Sequence, residues 1–80
     1  MEIKILGSNC SRCKALEKSV YNALAEMDLD ADVEKVEDIN RIIAYGVMQT
    51  PALVINQKVI FSGRVPSVSD LKEIITNNMQ

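Results

Sequence analysis

Gly7-Ser8-Asn9-Cys10-Ser11-Arg12-Cys13 is the stretch around which the chain is organised. An apolar run, Ile3 to Leu6, ends at Gly7, and a helical pattern begins at the two cysteines, the only ones in the sequence. Sulfurs three positions apart across the first turn of a helix can close a small disulfide ring. A thiolate there also faces the unpaired backbone N–H groups of the helix N-terminus. In outline this is a redox site.

The rest of the composition leaves the cysteines for chemistry. Eighty residues make one domain, residues 1–80, near the small end of what a single hydrophobic core supports. An apolar share of 48% is ordinary for a globular chain, so the core needs neither a structural disulfide nor a metal. Met1-Glu2-Ile3-Lys4-Ile5-Leu6 lacks the basic leader and long apolar stretch of a secretory signal, and no window approaches a membrane span. The expected location is cytoplasmic, with no membrane contact. In that reducing compartment a CxxC pair reads as redox-active or metal-binding rather than as a staple. A net charge of -2 without a basic run argues against nucleic acid as a partner.

Outward from the cysteines, periodicity sets the elements. Residues 2–6 alternate, with Ile3 and Ile5 on one face and Leu6 on the other, as in a strand whose far side is only partly covered by helix. Cys13, Leu16, Val20, Ala23, Leu24 and Met27 form a helical stripe opposite Lys14, Glu17, Lys18, Asn22 and Glu26. Cys13 thus lies on the buried side, and Cys10 one turn earlier at the exposed mouth. Asp28, Asp30 and Asp32 have the opening spacing of a calcium loop, but Val33 stands where its glycine would be and Ile39 where its closing glutamate would be. Leu29, Ala31 and Val33 between acids instead predict a strand with one solvated face. Asp38 can cap a short helix carrying Ile39, Ile42 and Ile43 inward, and Gly46 can end it. Ala52-Leu53-Val54-Ile55 reads as a strand buried on both faces, and Asn56-Gln57 turns it into Lys58-Val59-Ile60-Phe61-Ser62. Ser67 and Asp70 form a capping box for a last helix with Val68, Leu71, Ile74 and Ile75 inward, its tail fraying from Thr76. The order βαβαββα implies an α/β fold with a four-stranded mixed sheet and helices on both faces.

With that order, the CxxC at the mouth of the first helix and Thr50-Pro51 entering the buried strand, the chain resembles the thioredoxin-like superfamily, and most closely its small glutaredoxin-like thioredoxins. The resemblance implies a thiol–disulfide oxidoreductase serving electron transport and cell redox homeostasis. It implies Cys10 as attacking thiol, Cys13 as resolving thiol, and a redox-active Cys10–Cys13 disulfide in place of any dissociable cofactor. It further implies a cis Thr50–Pro51 bond against the disulfide, with Thr50 and Pro51 facing an extended substrate. The implied partners are a protein disulfide and a thioredoxin-reductase-like donor, ahead of glutathione, acting on a monomer. Ser11-Arg12 stands where thioredoxins have Gly-Pro and many glutaredoxins Pro-Tyr. Ser62-Gly63 stands where glutaredoxins have Gly-Gly.

The chemistry can also be weighed from the residues. A thiol attacks as its thiolate, and a pKa of about 8.5 falls to about 7 or lower in CxxC sites of this kind. The helix dipole, the second thiol, and Arg12 and Lys14 are the candidate supports. Basic side chains in a first helical turn oppose the dipole by roughly 0.3–1 kcal/mol each. Their presence is explained if they favour the thiolate; the plainer reading is two solvated surface charges. The sequence has no histidine to act as base. The alternative function is a metal-binding CxxC module, holding copper(I) alone, or zinc or an iron–sulfur cluster through a dimer's four sulfurs.

Overall fold

The computed structural model describes residues 1–7 and 11–78. They run β1 (Glu2–Leu6), α1 (Ser11–Glu26), β2 (Asp32–Val36), α2 (Ile39–Ala44), β3 (Ala52–Ile55), β4 (Lys58–Ser62) and α3 (Val68–Asn77), the expected βαβαββα succession. The sheet order is β2-β1-β3-β4. β1 and β2 are parallel, with Ile3 opposite Val33 and Leu6 opposite Val36. Parallel neighbours need a crossover, and α1 lies in it. β3 runs antiparallel to β1, with Ile5 opposite Leu53, and antiparallel to β4. The mixed sheet is thus built from a crossover half and a hairpin half joined through β1 and β3.

Asn56 and Gln57 have φ of 49° and 69°, the left-handed pair that a two-residue hairpin turn requires. The turn is pinned to the start of β1. The Asn56 side-chain oxygen accepts from the Glu2 N–H at 3.0 Å, and the Gln57 amide donates to the Glu2 carboxylate at 2.8 Å. β4 carries one extra residue, Ile60, between the partners of Leu53 and Val54. That bulge brings Phe61 opposite Leu53, where it joins the core beneath α1 and α3.

Strand alternation divides the interior in two. Toward α1 and α3, Ile3, Ile5, Leu53, Ile55 and Phe61 pack on Leu16, Val20, Ala23, Leu24, Leu71 and Ile75. Toward α2, Leu6, Val36, Ala52 and Val54 pack on Ile42 and Val47. Lys4 shares this second face and carries its ammonium outward, to the Tyr45 hydroxyl at 3.2 Å and the Glu2 carboxylate at 3.3 Å. These partners, Tyr45 first, raise the Lys4 pKa above its ordinary value.

Three local expectations are corrected. The strand read from Leu29 onward begins at Asp32, because Asp28 turns the chain with φ 52°. Leu29 and Ala31 still pack against the larger core. α2 has the Asp38 cap, whose carboxylate accepts from the Asn40 N–H at 2.9 Å, and ends before Gly46 at φ 79°. Yet only Ile42 of its three isoleucines points inward; Ile39 and Ile43 are 67% and 61% exposed. They lie one turn apart on a shared face, while Ile42 and Val47 fill the small apolar area that this side of the sheet offers. Arg41 of the helix also pairs with Glu34 of β2, at 3.1 Å. α3, started by Ser67 Oγ accepting from the Asp70 N–H at 3.1 Å, continues through Asn77. The Asn78 side-chain amide donates to the Ile74 carbonyl, one of the last-turn groups that lack an intrahelical partner, and the Thr76 hydroxyl donates to the Lys72 carbonyl.

Candidate functional site

β1 delivers the chain to the site. Gly7 extends the β1–β2 pairing by one residue, donating its N–H to the Val36 carbonyl at 2.9 Å. It must be glycine for reasons of space. A β-carbon there would run into Cys13 Sγ, and would lie 3.4 Å from Cys13 Cβ and 3.5 Å from Thr50 Cβ. The empty side of Gly7 is therefore where α1's first turn and the Thr50–Pro51 bend meet. Residues distant in sequence share one pocket-sized space because β1 and β3 are neighbours in the sheet.

Cys13 has no exposed surface, and its position on the apolar stripe of α1 accounts for that. Cys10, the expected attacking thiol, lies outside the described residues. The Thr50–Pro51 bond is cis, in agreement with the expectation. Pro51 is buried while Thr50 is exposed, and among the described residues the Thr50 backbone takes no part in the loop hydrogen bonds.

Arg12 and Lys14, expected to support a thiolate together, are placed differently. Both are exposed in the first turn of α1, which carries no acidic side chain. The Arg12 guanidinium donates to the Gly63 carbonyl at 2.8 Å. Gly63 in turn donates its N–H to the Pro51 carbonyl at 2.8 Å. A β-carbon at Gly63 would collide with the Gln49 side-chain oxygen, and φ there is 77°. Arg12, Gly63 and Pro51 thus tie the helix mouth to the bend. Lys14 makes no ion pair among the described residues and is not drawn into this linkage.

Beside Thr50 lies a groove of about 680 Å³, lined by Glu37, Ile39, Ile42, Ile43, Gly46, Val47, Met48 and Thr50. Met48 is 96% exposed. The outward isoleucines of α2 therefore border the same bend that approaches Cys13. Among the described residues no group of three or more His, Cys, Asp or Glu is placed to hold a metal ion. Nor is any described helix long and apolar enough to cross a membrane.

Residues 1–76 match the family model for the thioredoxin domain. The chain belongs to the thioredoxin-domain family. A thioredoxin of Methanothermobacter thermautotrophicus is 33% identical over 76 residues, 95% of this chain and 99% of that protein. A thioredoxin of Methanocaldococcus jannaschii is 32% identical over 78 residues, 98% of this chain and 90% of that one. A solved structure described as that of a malarial protein superposes with a TM-score of 0.71 at 14% identity, covering 99% of this chain and 97% of the other. That likeness is one of fold. Membership makes this a thiol–disulfide redox family protein with a thioredoxin-like fold.

Sequence reasoning missed three parts of the site. Gly7 reads only as a strand breaker, because its closeness to Cys13 depends on how α1 folds back. Gly63 gains its role from partners 51 and 12 positions away, Arg12 and Pro51. The groove was hidden because Ile39 and Ile43 look like core residues by periodicity. The one available signal was excess: three isoleucines on a helix of six residues exceed what one turn and a half can bury.

Proposed function

We propose that this thioredoxin-family chain is a cytoplasmic protein disulfide oxidoreductase. Cys10 attacks and Cys13 resolves. The Cys10 thiolate attacks one sulfur of a target disulfide, forms a mixed disulfide and expels the first target thiolate. The Cys13 thiolate then attacks Cys10 Sγ, closes the Cys10–Cys13 bond and expels the second target thiolate. Two electrons pass to the target, whose thiolates take up protons, and the chain is left oxidised. A dithiol donor of the thioredoxin-reductase type, in preference to glutathione, restores it. No dissociable cofactor is required.

The observation that carries this reading is the convergence of Cys13 with Thr50 on the empty side of Gly7. A resolving cysteine should be shielded until a mixed disulfide forms beside it, and Cys13 is buried in that way. Thr50 supplies an exposed backbone edge for an extended polypeptide, and the apolar groove beyond it suits that polypeptide's neighbouring side chains. Arg12 and Lys14 add positive charge near the pair, favouring a thiolate.

The test is reduction of a polypeptide disulfide by the reduced protein, followed by thiol release, then recycling with NADPH and thioredoxin reductase or with glutathione. Stoichiometric reduction, lost in Cys10→Ser and sustained by the reductase, is the expected result. An inert reduced protein would sink the proposal.

A further inference from the structure

Arg12 is held in place. One of the five N–H donors of its guanidinium is spent on the Gly63 carbonyl, at 2.8 Å. Gly63 is itself fixed by its bond to Pro51 and by Gln49 packed where a side chain would stand. The remaining donors belong to an exposed residue immediately before Cys13, and among the described residues no carboxylate lies within ion-pair distance of it. Five other cations are engaged elsewhere, while Lys18 and Lys58 are exposed and make no ion pair among the described residues. Lys4, Lys35, Arg41 and Lys72 face glutamates, and Arg64 lies over the Phe61 ring at 5.1 Å. Lys14 carries charge without an ion pair that would orient it.

The bond from Arg12 to Gly63 changes what a target meets at the site. An open Gly63 carbonyl would accept a hydrogen bond from a target N–H. With Arg12 across it, the same edge offers donors and positive charge. A planar fork of donors takes both oxygens of a carboxylate, which a neutral amide or a lysine cannot match. The groove beside Thr50 is lined mainly by apolar side chains, with Glu37 its one charged residue, so it differs in polarity from the Arg12 edge.

We infer that Arg12 is a specificity-determining residue, selecting disulfides that carry a carboxylate within a residue or two of the attacked cysteine. The carboxylate is an Asp or Glu side chain or a chain end. The inference rests on the oxidoreductase reading above.

The test uses disulfide-bridged peptides of one sequence that differ beside the cysteine: Asp, Asn, Lys, or a terminal carboxylate in place of the next residue. The reduced protein should favour Asp over Lys by roughly fivefold in kcat/KM, since one exposed attraction and one repulsion are each worth about a factor of two or more. The preference should shrink at about 0.5 M salt. Arg12→Gln should bring the ratio near one, Arg12→Glu should invert it, and Arg12→Lys should keep part of it. A preference for the terminal carboxylate alone would support the inference and assign its source. Two results would overturn it: a wild-type ratio of one, or an Arg12→Glu protein that loses rate equally on every peptide and on hydroxyethyl disulfide. Equal loss is what thiolate support or simple strapping of the helix would produce. A wild-type protein that reduces neither the peptides nor hydroxyethyl disulfide would remove the oxidoreductase reading and the inference with it, a result distinct from reduction without charge preference.

Discussion

On the α1 and α3 side of the sheet, Ile3, Ile5, Leu53, Ile55 and Phe61 meet six side chains from two helices; on the α2 side, Leu6, Val36, Ala52 and Val54 meet Ile42 and Val47. The first face is closed and almost wholly aliphatic. The second is thin, carries Lys4, and leaves Ile39, Ile43 and Met48 facing outward beside Thr50. The difference indicates a division of labour. One face holds an 80-residue chain together; the other gives up burial and keeps apolar surface exposed, which under the proposed function is where a target would lie.

The largest effect that tests this division is on stability. Leu16→Ala opens a cavity in the closed face and should cost about 2–5 kcal/mol, a large part of the roughly 5–15 kcal/mol that holds a domain folded. Ile43→Ser, on the outward side of α2, should change stability by no more than about 0.5 kcal/mol. Denaturant midpoints of the two variants measure the contrast. Equal losses would show that the second face is as important to the fold as the first.

Next is Gly7→Ala, at the junction between the faces and the site. Its methyl group would meet Cys13 Sγ, so overpacking should cost about 1–3 kcal/mol and slow disulfide reduction. Gly46→Ala is the control. It has no atom within 4 Å of the added carbon and a φ of 79°, so it should show only the backbone cost and leave the cysteines undisturbed. Because Gly46 lines the groove, the two are compared on hydroxyethyl disulfide, which is too small to fill it; similar reduction rates there would remove Gly7 from the site.

The element order, the crossover and the hairpin were legible because each rests on local signals: alternation in Ile3 to Leu6, the stripe from Cys13 to Met27, turn residues at Asn56 and Gln57. The burial of Cys13 was legible for the same reason. What was not legible depends on tertiary geometry. Which of Ile39, Ile42 and Ile43 is buried is decided by the small apolar area beneath α2, where Ile42 packs with Val47. Arg12 reads in sequence as a charge near a thiolate, and its bond to Gly63 appears only once β4 ends beside α1.

A moderate effect should follow from blunting the groove. Ile39→Ser, Ile43→Ser and Met48→Ser should each lower kcat/KM for polypeptide disulfides by about threefold to tenfold, because each leaves less apolar surface for a target to bury, with little change in stability. Unchanged kinetics on a polypeptide with aliphatic residues near its disulfide would mean the exposed isoleucines serve something other than targets.

The smallest effect concerns the pair between α2 and β2. The Arg41 guanidinium beside Glu34 holds its carboxyl below the ordinary carboxylate value. The folded state therefore binds that proton less readily than the unfolded state, so the pair stabilises above the usual glutamate range. This contribution is lost as pH falls through the lowered value. Both groups are exposed, and the gap should be small. Glu34→Gln should be slightly less stable than wild type at neutral pH, and the two should converge in acid. A constant gap at every pH would assign the difference to packing.

The most direct test of the central claim is trapping. Reduced Cys13→Ser and Cys10→Ser proteins are each mixed with a disulfide-bridged polypeptide and analysed intact by mass. If Cys10 attacks and Cys13 resolves, Cys13→Ser accumulates a mixed disulfide through Cys10, whereas Cys10→Ser, its remaining sulfur buried, accumulates little. Trapping mainly by Cys10→Ser, or by neither protein, would contradict it.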